Sequence, residues 1–276
     1  MAVEANAAGA GTVESPVVET GSPGDGIVEV VMNAPPVNAL TVRGWFDLAT
    51  AITDAGKDPG TRVVILRAEG KGFNAGVDIK EMQRTEGFDA LVGANRGCFE
   101  AFRAVYECEV PVIAAVHGFC LGGGIGLVGN ADIVVASDDA FFGLPEVKQG
   151  ALGAATHLAR LVPQHLMRAM VYTTRTVSAR ELHQHGSVLE VTARDRLTDL
   201  ARTVAGEIAD QDPYVIRRAK ESLNGIDPVD VKRSYRFEQG FTFELNLMGA
   251  GDRHRDAFVS GGSADGAGNN AEQEAN

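Results

Sequence analysis

The stretch VIAAVHGFCLGGGIGLVGNADIVVA, residues 112–136, decides the fold. It opens with Val112-Ile113-Ala114-Ala115-Val116, a short apolar run of the kind a strand shows when both its faces are covered. It closes with a second such run, Ile133-Val134-Val135-Ala136. Between them lie Gly118, Gly122, Gly123, Gly124, Gly126 and Gly129. His117 is the only acidic or basic side chain from residue 110 to residue 130, so the length and polarity would suit a membrane span. The glycines argue against it, because each costs about 1 kcal/mol in a helix interior. Two buried elements joined by a glycine turn fit better.

The turn contains GxGxxG at Gly124, Gly126 and Gly129. A dinucleotide site would seat pyrophosphate at such a helix start. The spacing opposes this, since about ten residues separate Gly122 from the strand at Ile133 and a Rossmann crossover needs a dozen or more. Two readings remain. The glycines allow close packing of helix on sheet. They also present free N–H groups at the positive end of a helix, where an oxyanion can be stabilised as it forms.

On either side of this segment the chain alternates. Residues 27–32 and 63–67 read as strands, and residues 41–55 and 91–107 have helical spacing, with a further helix starting at Ile79. Beyond Gly153 the chain reads as helical almost throughout. The expectation is an α/β core over residues 25–200 and an α-helical C-terminal region over residues 201–260. Residues 1–24 and 261–276, rich in Ala, Gly and Glu, are expected to be disordered tails.

The chain has 276 residues, three cysteines and a formal net charge of −12. The acidic balance argues against nucleic-acid binding. Cys98, Cys108 and Cys120 form neither a disulfide framework nor a zinc motif, which suits a cytoplasmic protein. No secretory leader and no membrane span are expected. No metal site is expected either: His183 and His185 sit near Gly186, at a helix end, without a clustered third ligand.

Several blocks in a fixed order carry a resemblance. Asn74-Ala75-Gly76-Val77-Asp78-Ile79-Lys80-Glu81-Met82 resembles the AGADxxE-type segment of the crotonase superfamily, and residues 115–124, AVHGFCLGGG, resemble its AVNGxxxGGG segment. Ala131-Asp132-Ile133 and Phe142-Gly143-Leu144-Pro145-Glu146 resemble its next blocks. The match runs over residues 27–258. It implies a crotonase-like fold with a ββα spiral core, and an enzyme acting on an acyl-CoA thioester, with coenzyme A as part of the substrate and no separate cofactor. It implies that the N–H groups of Val77 and Gly123 hold the thioester oxygen and that Glu146 is the base. Val77, Asp78, Ile79 and Lys80 would line the CoA site with Gly123. The resemblance also implies a homotrimer or dimer of trimers, the C-terminal helices covering the site. Tyr235, Phe237, Phe241 and Phe243 lie in that region and equally suit a plain packing face.

One position departs from the family pattern. A hydratase of the superfamily has a second glutamate two residues after GGG, where this chain has Gly126. One carboxylate suits a double-bond isomerase or a hydrolytic ring cleavage. Residues 76–88, 95–99 and 235–247 further resemble the crotonase-like hydrolases that open a steroid-derived ring CoA ester in bacterial cholesterol catabolism. Three readings stay open: ring hydrolysis, hydratase or isomerase activity, and a non-catalytic acyl-CoA-binding protein. His157 is a candidate polar or acidic contact in the acyl pocket, or a helix-packing residue. His117 is expected to hold a turn, and Asp78 to cap the helix that follows it.

Overall fold

β-Branched runs covered on both faces build the central sheet. The computed structural model describes residues 17–249. Numbered in chain order, β1 (Val18–Gly24), β2 (Ile27–Met32), β3 (Val63–Ala68), β4 (Val112–Val116), β6 (Ile133–Ser137) and β9 (Glu190–Thr192) form a six-stranded sheet in the order β1-β2-β3-β4-β6-β9. Only β1 pairs antiparallel; the other pairs are parallel. The strand period of two sorts each run between two cores. Val64, Leu66, Val112, Ala114 and Val116 face one core, while Val63, Ile65, Ile113 and Ala115 face the other. The first core is filled from α1 (Val42–Lys57) and α3 (Asp89–Glu107), by Trp45, Leu48 and Ile52 and by Phe102 and Val105. The second is covered by α8 (Leu197–Ala209), through Leu197, Ala201, Val204 and Ala205.

A smaller sheet positions the site. β5 (Phe119–Leu121) pairs parallel to β7 (Phe141–Gly143), which pairs antiparallel to β8 (Val177–Ser178). The register sets Leu121 against Gly143, and Gly122 N–H donates to the Gly143 carbonyl at 3.1 Å. The 3₁₀ turn Pro145–Gln149 follows at once, so Glu146 arrives beside the glycine turn that opens α4 (Gly123–Val128). The short α2 (Ile79–Arg84) lies beyond the loop after β3. The remaining helices are α5 (Ala155–Leu158), α6 (Gln164–Thr173), α7 (Ala179–Gln184), α9 (Pro213–Gly225) and α10 (Val231–Leu247).

Three expectations change. Val18–Gly24 is a strand, not part of a tail: backbone hydrogen bonds to β2 order a segment too exposed and too poor in apolar residues to announce itself. β8 and β9 interrupt the region expected to be helical; strands of two and three residues carry no periodic signal. The boundary expected at residue 201 falls inside α8, a helix that belongs to the core because it covers one whole face of the sheet. Residues 1–16 of the tail expected over 1–24, the tail expected over 261–276, and residues 250–260 lie outside the described residues.

Candidate active site

Two backbone donors face one cavity because their neighbours are committed elsewhere. Gly76 N–H donates to Asn74 Oδ1 at 2.8 Å, and Asp78 N–H donates to the Leu40 carbonyl at 2.9 Å. Val77 N–H, between them, donates to no acceptor among the described residues. Similarly, Gly122 N–H is taken by Gly143 and Ile125 N–H by the Gly122 carbonyl, while Gly123 N–H, in the first turn of α4, has no partner among the described residues. Gly76 holds φ at 90° and Gly122 at 57°, a region that side chains disfavour. The two loops meet backbone to backbone. A Cβ on Gly76 would lie 3.2 Å from Gly123 N, and one on Gly123 would meet the Trp45 ring at 2.7 Å.

Asn74 fixes this geometry from behind. It is fully buried, and its Nδ2 donates to the Asn38 carbonyl at 2.6 Å. Asn38 accepts from Ala34 N–H at 2.7 Å and donates to the Glu69 and Gly72 carbonyls, each at 2.8 Å. These bonds bracket the loop between β3 and Gly76.

The cavity has a volume of about 390 Å³ and a mostly apolar lining. Val77, Ile79, Gly123 and Glu146 border it, with Met82, Leu91 and Phe102 among the apolar contributors. Asp78 does not border it; its carboxylate caps α2, accepting from Lys80 N–H at 2.8 Å and Glu81 N–H at 3.3 Å. Lys80 is exposed and also lies outside the lining.

Glu146 supplies the only carboxylate on the cavity wall among the described residues. Its Oε1 presses against Gly122, where a Cβ would stand 2.6 Å away. Its Oε2 is shielded from solvent and accepts no hydrogen bond among the described residues. Loss of hydration pushes its pKa up to about 8, opposed by its own backbone N–H and assisted by the negative charge of Glu238. A carboxyl so poised suits a general base working near neutrality.

The second acid of a hydratase is excluded by packing as well as by sequence. A Cβ on Gly126 would fall 2.2 Å from the Phe102 ring. That ring is 2% exposed and packs edge-on against Trp45 at 5.7 Å. Gly126 and Phe102 therefore occupy the site of the missing carboxylate together.

His157 does not reach the cavity. It is 1% exposed and stands behind Phe102 and Tyr235, which do line it, with ring centroids 4.9 and 4.8 Å away. Its Nδ1–H donates to Asn130 Oδ1 at 3.2 Å. Burial, with Arg160 assisting, drives its pKa down to about 3, so it is neutral and offers no acid. Of the two roles expected for it, packing is the one the structure shows. His117 Nε2 lies 3.2 Å from the Gly70 carbonyl and holds the turn. No group of three or more His, Cys, Asp or Glu residues could hold a metal among the described residues. Nor is any described helix long and apolar enough to cross a membrane.

Two touching glycine loops with outward N–H groups and one buried carboxylate agree with what comparison with known proteins finds. The enoyl-CoA hydratase/isomerase family matches residues 23–244. This chain belongs to that family, within the crotonase superfamily. It is 67% identical over 239 residues to a (7aS)-7a-methyl-1,5-dioxo-2,3,5,6,7,7a-hexahydro-1H-indene-carboxyl-CoA hydrolase of Rhodococcus jostii, covering 87% of this chain and 93% of the relative. It is also 67% identical to the Mycobacterium tuberculosis protein of the same name, covering 88% and 98%. Among solved structures, an enoyl-CoA hydratase/isomerase from Xanthobacter autotrophicus is similar, with a TM-score of 0.79 at 28% identity over 88% of this chain and 91% of that one. The chain is thus an enzyme of this family, not a non-catalytic binder.

Sequence reasoning missed the residues that shape the site from a distance. Asn38 reads as a turn residue far from every glycine motif, and helical spacing alone marks Trp45 and Phe102 only as core. Asn74 stands inside a quoted motif, but its role depends on a contact with Asn38.

For a base with a raised pKa, kcat/KM should climb as pH rises through about 8 and level above it. Glu146→Gln should remove both activity and profile. Ionising this buried carboxyl also opposes folding. The stability of the native enzyme relative to Glu146→Gln should therefore fall from about pH 4.5 to about 8 and then stay flat, as followed by thermal melting. Gly126→Glu should destabilise the fold by at least ~3 kcal/mol through overpacking and burial of charge. Adding Phe102→Ala should recover part of that loss, measured by denaturant titration.

Proposed function

We propose that this enzyme hydrolyses a ring carbon–carbon bond in a cyclic β-keto CoA thioester, the acyl group being a steroid-derived bicyclic ketone. The observation that carries this reading is a double N–H site served by one carboxylate, with the place of a second acid filled by Phe102. Relatives at 67% identity named as hydrolases of a methyl-dioxo-hexahydroindene CoA ester support it.

The chemistry follows from the wall. Ionised Glu146 takes a proton from a water molecule, whose oxygen bonds to the ring ketone carbon. The bond from that carbon to the α-carbon of the thioester then breaks. Its electron pair passes to the thioester as an enolate, with charge on the oxygen facing Val77 N–H and Gly123 N–H. Each such donor is typically worth about 3 kcal/mol in a transition state. Glu146 returns the proton to the α-carbon, leaving a new carboxylic acid and an intact CoA thioester. The cycle consumes one water and requires no cofactor beyond the coenzyme A of the substrate.

Incubation in heavy-oxygen water with crotonyl-CoA, a 3-enoyl-CoA and the hexahydroindene CoA ester tests this by mass spectrometry. One label should enter the new carboxylate of the hexahydroindene product. Turnover of crotonyl-CoA alone would replace the reading with hydration, and turnover of the 3-enoyl-CoA alone with isomerisation.

We also propose a homotrimer or dimer of trimers in the cytoplasm. Phe237, Ile226 and Leu247 are 71%, 75% and 72% exposed on the C-terminal helices, apolar side chains that a neighbouring subunit would cover. Light scattering should give three or six times the 29.1 kDa chain mass, and a monomer would contradict it.

A further inference from the structure

The ring-opening reaction needs two oxyanion sites, and Val77 and Gly123 supply one. The thioester oxygen carries charge only after the bond breaks. Before that, attack by water places negative charge on the ring ketone oxygen. That oxygen lies on the far side of the scissile bond from the thioester, next to the water and therefore next to Glu146. A donor for it must come from the same wall.

Gln149 meets that requirement. It lines the cavity with Glu146, on the same 3₁₀ turn Pro145–Gln149. Such a turn has three residues per repeat, so positions three apart stack on one face, about 6 Å apart along the axis. Glu146 and Gln149 are such a pair. Both carry a side-chain oxygen that is shielded from solvent and has no partner, Glu146 Oε2 and Gln149 Oε1. The Gln149 side chain makes no hydrogen bond among the described residues. An amide left unsatisfied beside an apolar cavity is costly unless a ligand completes it. The other polar side chains near it are engaged. Thr242 Oγ1 donates to the Leu152 carbonyl at 2.7 Å, Asn95 Nδ2 to the Leu91 carbonyl at 2.9 Å, and Asn246 Nδ2 to the Thr242 carbonyl at 2.8 Å. Cys98 and Tyr235 also border the cavity; burial raises the pKa of both, so both stay protonated, and the Tyr235 hydroxyl is engaged with the Gln239 side chain.

We infer that Gln149 is a further catalytic residue, its side-chain amide donating a hydrogen bond to the ring ketone oxygen as water adds. This rests on the ring-hydrolysis reading. The amide oxygen is left to accept from the attacking water, so that Glu146 and Gln149 hold the nucleophile and its target from one turn. No proton is transferred to or from the amide.

Gln149→Leu and Gln149→Met remove the amide at similar volume in an apolar surround. With the hexahydroindene CoA ester, both should lower kcat by about 100-fold or more, the usual loss for one oxyanion donor. KM, and the Kd for cyclohexanecarboxyl-CoA, which has no ring ketone, should stay within about threefold of the unaltered enzyme. A kcat within about threefold in either folded variant would overturn the inference, as would a matching loss of cyclohexanecarboxyl-CoA binding, which marks a role in pocket shape. Failure of the unaltered enzyme to place heavy oxygen in a new carboxylate would instead overturn ring hydrolysis itself, and this inference with it.

Discussion

Everything at the site depends on the contact between Gly76 and Gly123. Two loops from different sheets approach until backbone lies on backbone: a Cβ on Gly76 would lie 3.2 Å from Gly123 N, and one on Gly123 would lie 3.3 Å from Gly76 Cα. At that separation the N–H groups of Val77 and Gly123 can point at one atom. The contact is held by hydrogen bonds from behind: Asn74 to Gly76, Leu40 to Asp78, and Gly143 to Gly122. The parallel sheet brings the loops together at one end of its strands, and the smaller sheet delivers Glu146 to the same place. Donors fixed in advance, with no internal acceptor to satisfy them, need no reorganisation when charge appears.

Glu146, the proposed base, depends on the same enclosure. Burial that leaves Glu146 Oε2 unpartnered also raises its affinity for a proton, and the nearby charge of Glu238 adds to it. Glu238 is itself held in place, accepting from Ala155 and Thr156 N–H at 2.9 and 3.1 Å, where it caps α5. The C-terminal helix thus reaches the site through electrostatics and through the cavity wall at once. Aromatic packing completes the selection. Trp45, Phe102, Tyr235 and His157 form one cluster, and Phe102 within it stands where a second acid would need to be.

Much of this was legible in the sequence, for physical reasons. The apolar runs at residues 112–116 and 133–136 read best as covered strands, and the glycine series between them as a turn into a helix; the short β5 (Phe119–Leu121) inside that series gave no signal of its own. Val77, Gly123 and Glu146 came from a family pattern whose blocks keep their order, and the structure brings all three to one cavity. Gly126 already pointed away from hydration. What stayed hidden depends on contacts between distant residues. β1 and β9 are ordered by a neighbouring strand more than by their own composition. Asn38 reads as a turn residue, and only its bonds to Glu69 and Gly72 show that it steadies an active-site loop. His157 could be read either way until its neighbours were known.

The central claim is that the substrate's thioester oxygen accepts hydrogen bonds from Val77 and Gly123. Isotope-edited infrared spectroscopy of an acyl-CoA labelled with ¹³C at the thioester carbonyl reads this bond directly. On binding, the labelled carbonyl band should move to lower frequency than in water, and it should do so equally in the Glu146→Gln enzyme, because the donors belong to the backbone. A bound carbonyl at its aqueous frequency or above would contradict the account.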